Sequence, residues 1–274
     1  MRAIIILSAF LFMVETNINS VDLNLLKNEI AFTFFDLSNG EAVLIQNRDE
    51  NVLINTGSED SRRELYDRLE MFNVHEIEKV ILTNASEAYT GNLTEVIKKY
   101  HVHVVLSSKG IFKKLHRQTH LPEDMTKQWT IGKQDHVLPG LKAKVLYVTP
   151  EENDKTALVV RFQFGAEKIL YMGLSGPAVE KELLDNPLID CQILKVGDFG
   201  AGEGNSPEFL RKVDPQVAIL FHKKNTSPTK ELLEELNTVW IDVYRTHQTG
   251  TITVKFDLHS YRVITIPIEE GESV

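Results

Sequence analysis

Nine histidines, one cysteine and 39 carboxylate side chains are the groups in this 274-residue chain that could hold a metal ion or move a proton. Two histidine pairs have ligand-like spacing. His101 and His103 stand at i and i+2 in a run that reads as a strand, so both rings would share one face, and His116 and His120 stand at i and i+4 on a helix. A two-histidine spacing is common, and a surface or structural role is the preferred reading of each pair. His222 ends a predicted strand, where sheet-edge sites lie, and is the best single histidine candidate. Ser86, Asp198 and His222 supply the residue types of Ser-His-Asp catalysis, but the chain has no Gly-x-Ser-x-Gly elbow. Gly200, Gly202 and Gly204 share their segment with Asp198 and Glu203, which would repel a phosphate, and no Gly-Lys-Ser/Thr follows, so a mobile loop is expected. Cys191, within the apolar run Cys191-Gln192-Ile193-Leu194, reads as core and supplies neither a disulfide nor a zinc spacing.

The elements that must position these groups follow from residue patterning. Ala31–Asp36 and Ala42–Gln46 are β-rich runs around the turn Ser38-Asn39-Gly40, which predicts a hairpin, and Asn51–Asn55 adds a third strand. From Ser58 onward Leu65, Leu69 and Phe72 recur at helical spacing. Strands at Lys79–Thr83 and Val102–Leu106 then flank a helix over Gly91–Tyr100. The second half alternates in the same way, with strands at Lys142–Val148, Ala157–Phe164, Lys168–Met172, Gln192–Val196 and Val217–Phe221 interleaved with helices at Val179–Leu184, Glu208–Val213 and Thr229–Leu236. Thr251–Phe256 and Tyr261–Ile266 form a closing hairpin. No linker rich in Pro, Gly or Ser divides the chain. The expected architecture is a single α/β domain over residues 21–274, a four-layer αββα sandwich with mixed sheets.

Composition narrows the function. The 42% hydrophobic and 25% charged content is that of a globular protein, and the net charge of −9 argues against direct nucleic-acid binding, which needs a cationic surface. Lys113-Lys114 and Lys223-Lys224 are the places where a local basic patch would arise. Arg2, the apolar run Ala3–Val14 and the polar stretch Glu15–Ser20 outline a signal peptide with cleavage before Val21. The run is short for a span of about 30 Å of hydrocarbon, so a cleaved leader is expected over an anchor, with a secreted or cell-surface location. No later segment is apolar for long enough to span a bilayer. Asn-x-Ser/Thr sequons occur at Asn84, Asn92 and Asn225.

Phe34-Phe35-Asp36-Leu37-Ser38-Asn39-Gly40-Glu41-Ala42, followed by Ile54-Asn55-Thr56-Gly57, resembles the opening of metallo-β-lactamase domains of the ComEC-like competence-protein branch. That branch runs Phe-x-Asp-Val-Gly-x-Gly-Asp-Ala and then Ile-Asp-Thr-Gly. The similarity continues in order through Leu82-Thr83 and Gly91-Asn92-Leu93, Leu170-Tyr171-Met172-Gly173-Leu174, Leu194-Lys195-Val196 with Gly200, Ser227-Pro228, and Val243-Tyr244-Arg245-Thr246 before Gly250. The resemblance implies the metallo-β-lactamase sandwich and a crevice in which histidines and carboxylates hold zinc or manganese to activate water.

At the implied ligand positions this chain carries other residues. Asn84, Ser86, Ala88 and Tyr89 stand where the first motif has His, His, Asp and His. The later bridging aspartate falls on Leu174, the paired histidines on Asp198-Phe199, and the histidine before Ser-Pro near Asn225. Ala88 has no donor atom, and Tyr89 would have to lose a proton of ordinary pKa about 10. Supporting positions are altered as well, to Asn55 in the Asp-Thr-Gly turn and Glu41 in the Gly-Asp pair. The expectation is therefore a pseudoenzyme with no cofactor and no catalytic residues, whose less charged, partly apolar crevice holds a neutral or aromatic ligand or a partner protein. Two alternatives stand beside it: a hydrolase or nuclease rebuilt around Asp198 and His222 with Glu87 or Glu41, and a membrane-tethered accessory of DNA uptake.

Overall fold

The computed structural model describes residues 20–116, 121–151 and 155–267. The leader, up to residue 19, and His120 lie outside them. Strands β1 (Ile30–Phe34), β2 (Val43–Gln46) and β3 (Asn51–Ile54) pair antiparallel, with Phe34 opposite Val43 and Val43 opposite Ile54. Gly40 makes their first connection possible. Its φ is +97°, and a Cβ there would lie 2.3 Å from the Ala88 carbonyl oxygen. Helix α1 (Arg62–Met71) buries Leu65 and Leu69, and β4 (Lys79–Ile81) returns parallel to β3. The short α2 (Glu87–Thr90) and α3 (Leu93–Lys99) lead to β5 (Val104–Ser107), α4 (Lys109–Leu115) and the small edge strand β6 (Thr126–Gln128).

The second sheet begins with β7 (Gln134–Leu138), β8 (Leu141–Val148), β9 (Leu158–Phe164) and β10 (Glu167–Met172), all antiparallel neighbours. It then turns parallel: α5 (Pro177–Leu184), β11 (Ile193–Lys195), α6 (Pro207–Val213), β12 (Val217–Leu220), α7 (Lys230–Thr238) and β13 (Asp242–Arg245) alternate along the chain. Side-chain caps fix two of these helices, Ser206 accepting from the Phe209 N–H at 3.2 Å and Thr229 from the Leu232 N–H at 3.3 Å. After the one-turn α8 (Thr246–Thr249), the hairpin β14 (Thr251–Phe256) and β15 (Tyr261–Ile266) crosses back to the first sheet, β14 pairing with β1. The orders are β15-β14-β1-β2-β3-β4-β5-β6 and β13-β12-β11-β10-β9-β8-β7.

One core lies between the sheets, where Phe32 meets Phe162 and Phe256 edge-on at 5.5 and 5.8 Å. A second fills the space under α5, α6 and α7, around Leu170, Leu194, Leu210 and Leu236. The helices cover both outer faces, and the architecture is the expected αββα sandwich. Cys191 is buried in the second core, and burial pushes its thiol up to about 12. Three strands escape the patterning: β6 and most of β7 are polar edge strands, and the four-residue β13 starts only three residues after α7 ends. The strand reading of His101 and His103 is corrected, because β5 begins only at Val104. His101 occupies a turn with φ +52°, and the exposed His103 ring meets Glu78 at 3.2 Å. His116 caps the end of α4.

Candidate functional site

Parallel strands bring their C-terminal ends to one edge of each sheet, and the loops that leave those ends face one another. The loop after β4 carries Asn84 and Ser86, the loop after β11 carries Asp198 and Phe199, and the loop after β12 carries Lys223 and Thr226. Together with Tyr89 of α2 they line a cleft of about 400 Å³. Sequence-based placement therefore converges for Asn84, Ser86, Tyr89, Asp198 and Phe199. Ala88, Leu174 and Asn225 do not line it. Ala88 and Leu174 are buried, and Asn225 is exposed beside Thr226 with φ +60°.

Several of these residues are tied into the fold. Asn84 donates from Nδ2 to the Gly173 carbonyl at 2.8 Å and accepts from the Ser86 N–H at 2.9 Å, tying the first sheet's loop to the second sheet. Glu87 is spent on the α1 side, accepting from Ser58 Oγ at 2.8 Å and the Glu59 N–H at 2.6 Å. His222 stacks on His247 with centroids 4.8 Å apart, and its carbonyl accepts from the Gly40 N–H at 3.1 Å. No hydrogen bond joins any two of Ser86, Asp198 and His222 among the described residues, so the structure does not assemble that triad.

The start of the glycine-rich segment is closely packed, while Gly202 and Glu203 farther along it are exposed. Gly197 lies so close to Leu174 that a Cβ would be 2.4 Å from its carbonyl oxygen. Asp198 and Phe199 both adopt left-handed backbone, with φ +46° and +58°, a conformation that costs an ordinary residue on the order of 1 kcal/mol. Side-chain contacts hold them there. Asp198 Oδ2 accepts from the Ser175 N–H at 3.2 Å and meets Lys155 Nζ at 3.5 Å, while the Phe199 ring packs on Tyr89 with centroids 5.3 Å apart.

Beneath the cleft lies a polar network that joins the sheets. Lys195, on β11 and fully buried, forms an ion pair with the equally buried Glu41 and donates to the Met172 carbonyl at 2.7 Å. Glu41 Oε1 accepts from Tyr171 Oη at 2.7 Å and from Asn55 Nδ2 at 2.7 Å, and Asn55 Oδ1 accepts from the Thr83 N–H at 2.9 Å. Burial drives the two charged groups toward their neutral forms, Glu41 up and Lys195 down, and their mutual attraction opposes it. Burial also holds the Tyr171 and Tyr89 hydroxyls well above their ordinary pKa. Glu41 and Asn55, read as crevice candidates, are thus internal braces. Lys195 and Tyr171, which complete this brace, are not among the candidates read from the sequence. Their signal was present, since a lysine inside Ile193-Leu194-Lys195-Val196 must either be paired or break the strand.

The zinc or manganese implied by the resemblance does not fit this donor set. Ala88, Leu174 and Phe199 offer no ligand atom, both ends of the Asn84 amide are hydrogen-bonded, and the Tyr89 proton is held tightly. Among the described residues no three His, Cys, Asp or Glu side chains come close enough to hold a metal ion. Two of the three sequons are also closed. The Asn84 amide is engaged as above, and Asn92 Nδ2 donates to the Thr56 and Ser58 carbonyls at 2.8 and 2.7 Å.

No family model matches the chain. In sequence it is 25% identical over 194 residues to ComE operon protein 3 of Bacillus subtilis, which covers 67% of this chain and 25% of that protein, so the chain spans about a quarter of its relative. In structure it resembles the metallo-β-lactamase fold protein YhfI of Bacillus subtilis, with TM-score 0.61, 14% identity and coverage of 84% of this chain and 100% of the other. Igni18, a metallo hydrolase of Ignicoccus hospitalis, gives TM-score 0.59, 16% identity and coverage of 84% and 100%. Zn(2+)-bound PqqB of Methylobacterium extorquens gives 0.53, 13%, 81% and 99%. With two mixed sheets back to back, a shared loop edge and these neighbours, the chain has the metallo-β-lactamase fold, and its sequence relative is a ComE operon protein.

Proposed function

We propose that this chain is an exported, non-hydrolytic member of its fold that works by holding a ligand or partner protein in the crevice. One observation carries the reading: of the positions where the resemblance expects metal ligands, Ala88, Leu174 and Phe199 carry no donor atom, the Asn84 amide is committed between Gly173 and Ser86, and burial holds the Tyr89 proton in place. Water activation near neutral pH needs a Lewis acid or a positioned base. The residues of the alternative hydrolytic reading are dispersed instead: Glu41 is sealed beneath the cleft, Glu87 faces Ser58 and His222 stacks on His247. The test is metal analysis of the dialysed protein, with phosphodiester and ester turnover measured in added zinc or manganese. The reading expects substoichiometric metal and no turnover above buffer. Stoichiometric metal, or turnover lost on Asp198→Ala or His222→Ala, would overturn it.

Export rests on the leader outline, and mass spectrometry of the secreted protein should find Val21 at the N-terminus. In the fold the Val21 N–H donates to the Met71 carbonyl at 2.7 Å, so the mature chain would begin on a docked residue. Among the described residues no helix is long and apolar enough to cross a membrane. A role as an accessory of DNA uptake draws only on the sequence relative; it predicts co-purification with an uptake complex.

A further inference from the structure

A second groove opens at the end of the sandwich opposite the crevice. The crevice loops leave the C-terminal ends of β11 and β12, whereas Gln192 and Gln216 stand just before those strands and Asp242 begins β13. These three residues, with Glu167, Tyr244 and Tyr261, line a groove of about 580 Å³ between the second sheet and the β14–β15 hairpin. Strand register shows what sets it apart. Ile169, Ile193 and Val217 pair across β10, β11 and β12, and all three enter the core between the sheets. Asp242 is the next residue of that row, opposite Val217, and side chains in one row share a face. An exposed aspartate therefore stands where the row calls for an apolar residue. Glu167, two residues before Ile169 and so on the same face, is 8% exposed, and its Oε2 has no hydrogen-bond partner among the described residues. Chains depart from their own patterning chiefly at functional sites, and a buried polar atom without a partner marks a place where a ligand or water completes the bonding.

The groups lining the groove differ in kind. Gln216 Oε1 accepts from Tyr261 Oη at 2.7 Å and Gln192 Oε1 accepts from the Lys168 N–H at 2.9 Å, which leaves each amide its Nε2 donor. Asp242 offers acceptor oxygens, and the Tyr244 hydroxyl can both donate and accept. Burial first and Asp257 next push the Glu167 carboxyl toward its neutral form, in which it too can donate and accept. Formal charge is close to balanced, because Arg262 of the hairpin lines the same groove as Asp242. An ionic ligand needs a surplus of one sign, whereas donors and acceptors side by side suit hydroxyl groups, each of which does both. We infer that the groove binds a neutral mono- or disaccharide unit, its hydroxyls donating to Asp242 and accepting from Gln192 and Gln216. The groove's volume falls within the range of about 300–1,000 Å³ usual for small-molecule sites. The groove shares no residue with the crevice, so the inference stands or falls apart from the non-hydrolytic reading.

The test is NMR titration of the full chain with maltose, cellobiose and N,N′-diacetylchitobiose, with spermidine as a cationic control. At least one disaccharide should give saturable shifts at the backbone amides of Val217, Asp242 and Tyr261, with little dependence on salt. Asp242→Ala should weaken that binding about tenfold and Gln216→Ala severalfold, the usual losses for a hydrogen bond to a charged and to a neutral group. Both side chains are exposed, so the fold should survive each change, which unaltered amide spectra away from the groove would verify. No saturable shift with any of the three sugars would overturn the inference, as would shifts confined to the crevice or an affinity that neither substitution changes. Spermidine binding more tightly than the sugars, and weakening as salt rises, would overturn it in favour of an organic-cation site.

Discussion

Replacing Lys195 by methionine isolates the energetics of the buried network. The substitution keeps most of the side-chain volume and removes one charge, leaving Glu41 with Tyr171 and Asn55 on Oε1 but no cation facing Oε2. Breaking a buried pair by removing one partner costs about 3–5 kcal/mol, because an uncompensated charge stays behind. Against a typical total of about 5–15 kcal/mol, that is a large fraction. In urea titration with a slope of about 3 kcal/mol/M, the midpoint should fall by about 1 M or more. Lys230→Met is the control, since Lys230 pairs with Glu234 at 3.0 Å on an exposed helix face, and its loss should cost no more than about 0.5 kcal/mol. Adding Glu41→Gln to Lys195→Met should recover at least about 1 kcal/mol relative to the sum of the single changes, as contacting residues do. The pH dependence has a defined sign. Without Lys195, burial holds the folded-state pKa of Glu41 above its unfolded value. The folded state then binds the proton more readily, so the variant's stability falls as pH rises and its deficit is smaller at pH 5 than at pH 8. A deficit below about 1 kcal/mol, or one that grows on acidification, would refute the reasoning.

Tyr89→Phe removes a buried hydroxyl that has no hydrogen-bond partner among the described residues, so thermal or urea unfolding should show no loss and up to about 1 kcal/mol of gain; a loss of about 1 kcal/mol or more would reveal a partner for the hydroxyl. His247 has its pKa lowered by burial first and then by Arg245 and His222, and NMR titration should place it below its ordinary 6.5 and move it upward in His222→Gln. Its folded pKa being depressed, the protein should lose stability as pH falls from about 6.5 through that value, a slope that His247→Gln should reduce. Gly40→Ala forces a Cβ against the Ala88 carbonyl and the Ser58 nitrogen at positive φ, so it should destabilise by at least about 1 kcal/mol in the same unfolding assay.

The strand and helix patterning and the ordered run of motifs were enough, from residue types alone, to specify the αββα sandwich, because alternating and helical periodicities report directly which face of each element is buried. Donor chemistry was legible too: Ala88, Leu174 and Phe199 cannot ligate a metal in any geometry. Polar edge strands such as β6 and β7 escaped because their pairing comes from a neighbour and leaves no apolar repeat. What the tertiary structure decided was which polar residues meet. Glu41 and Lys195 are 154 positions apart, and only the packing of one sheet on the other makes them an internal ion pair, sealed from the crevice. The same packing brought Lys114, Lys155 and Lys223 from three separate loops and helices to one cleft. Charge at a site depends on distance in space, which sequence separation does not report, so which charged groups meet could be found only in three dimensions.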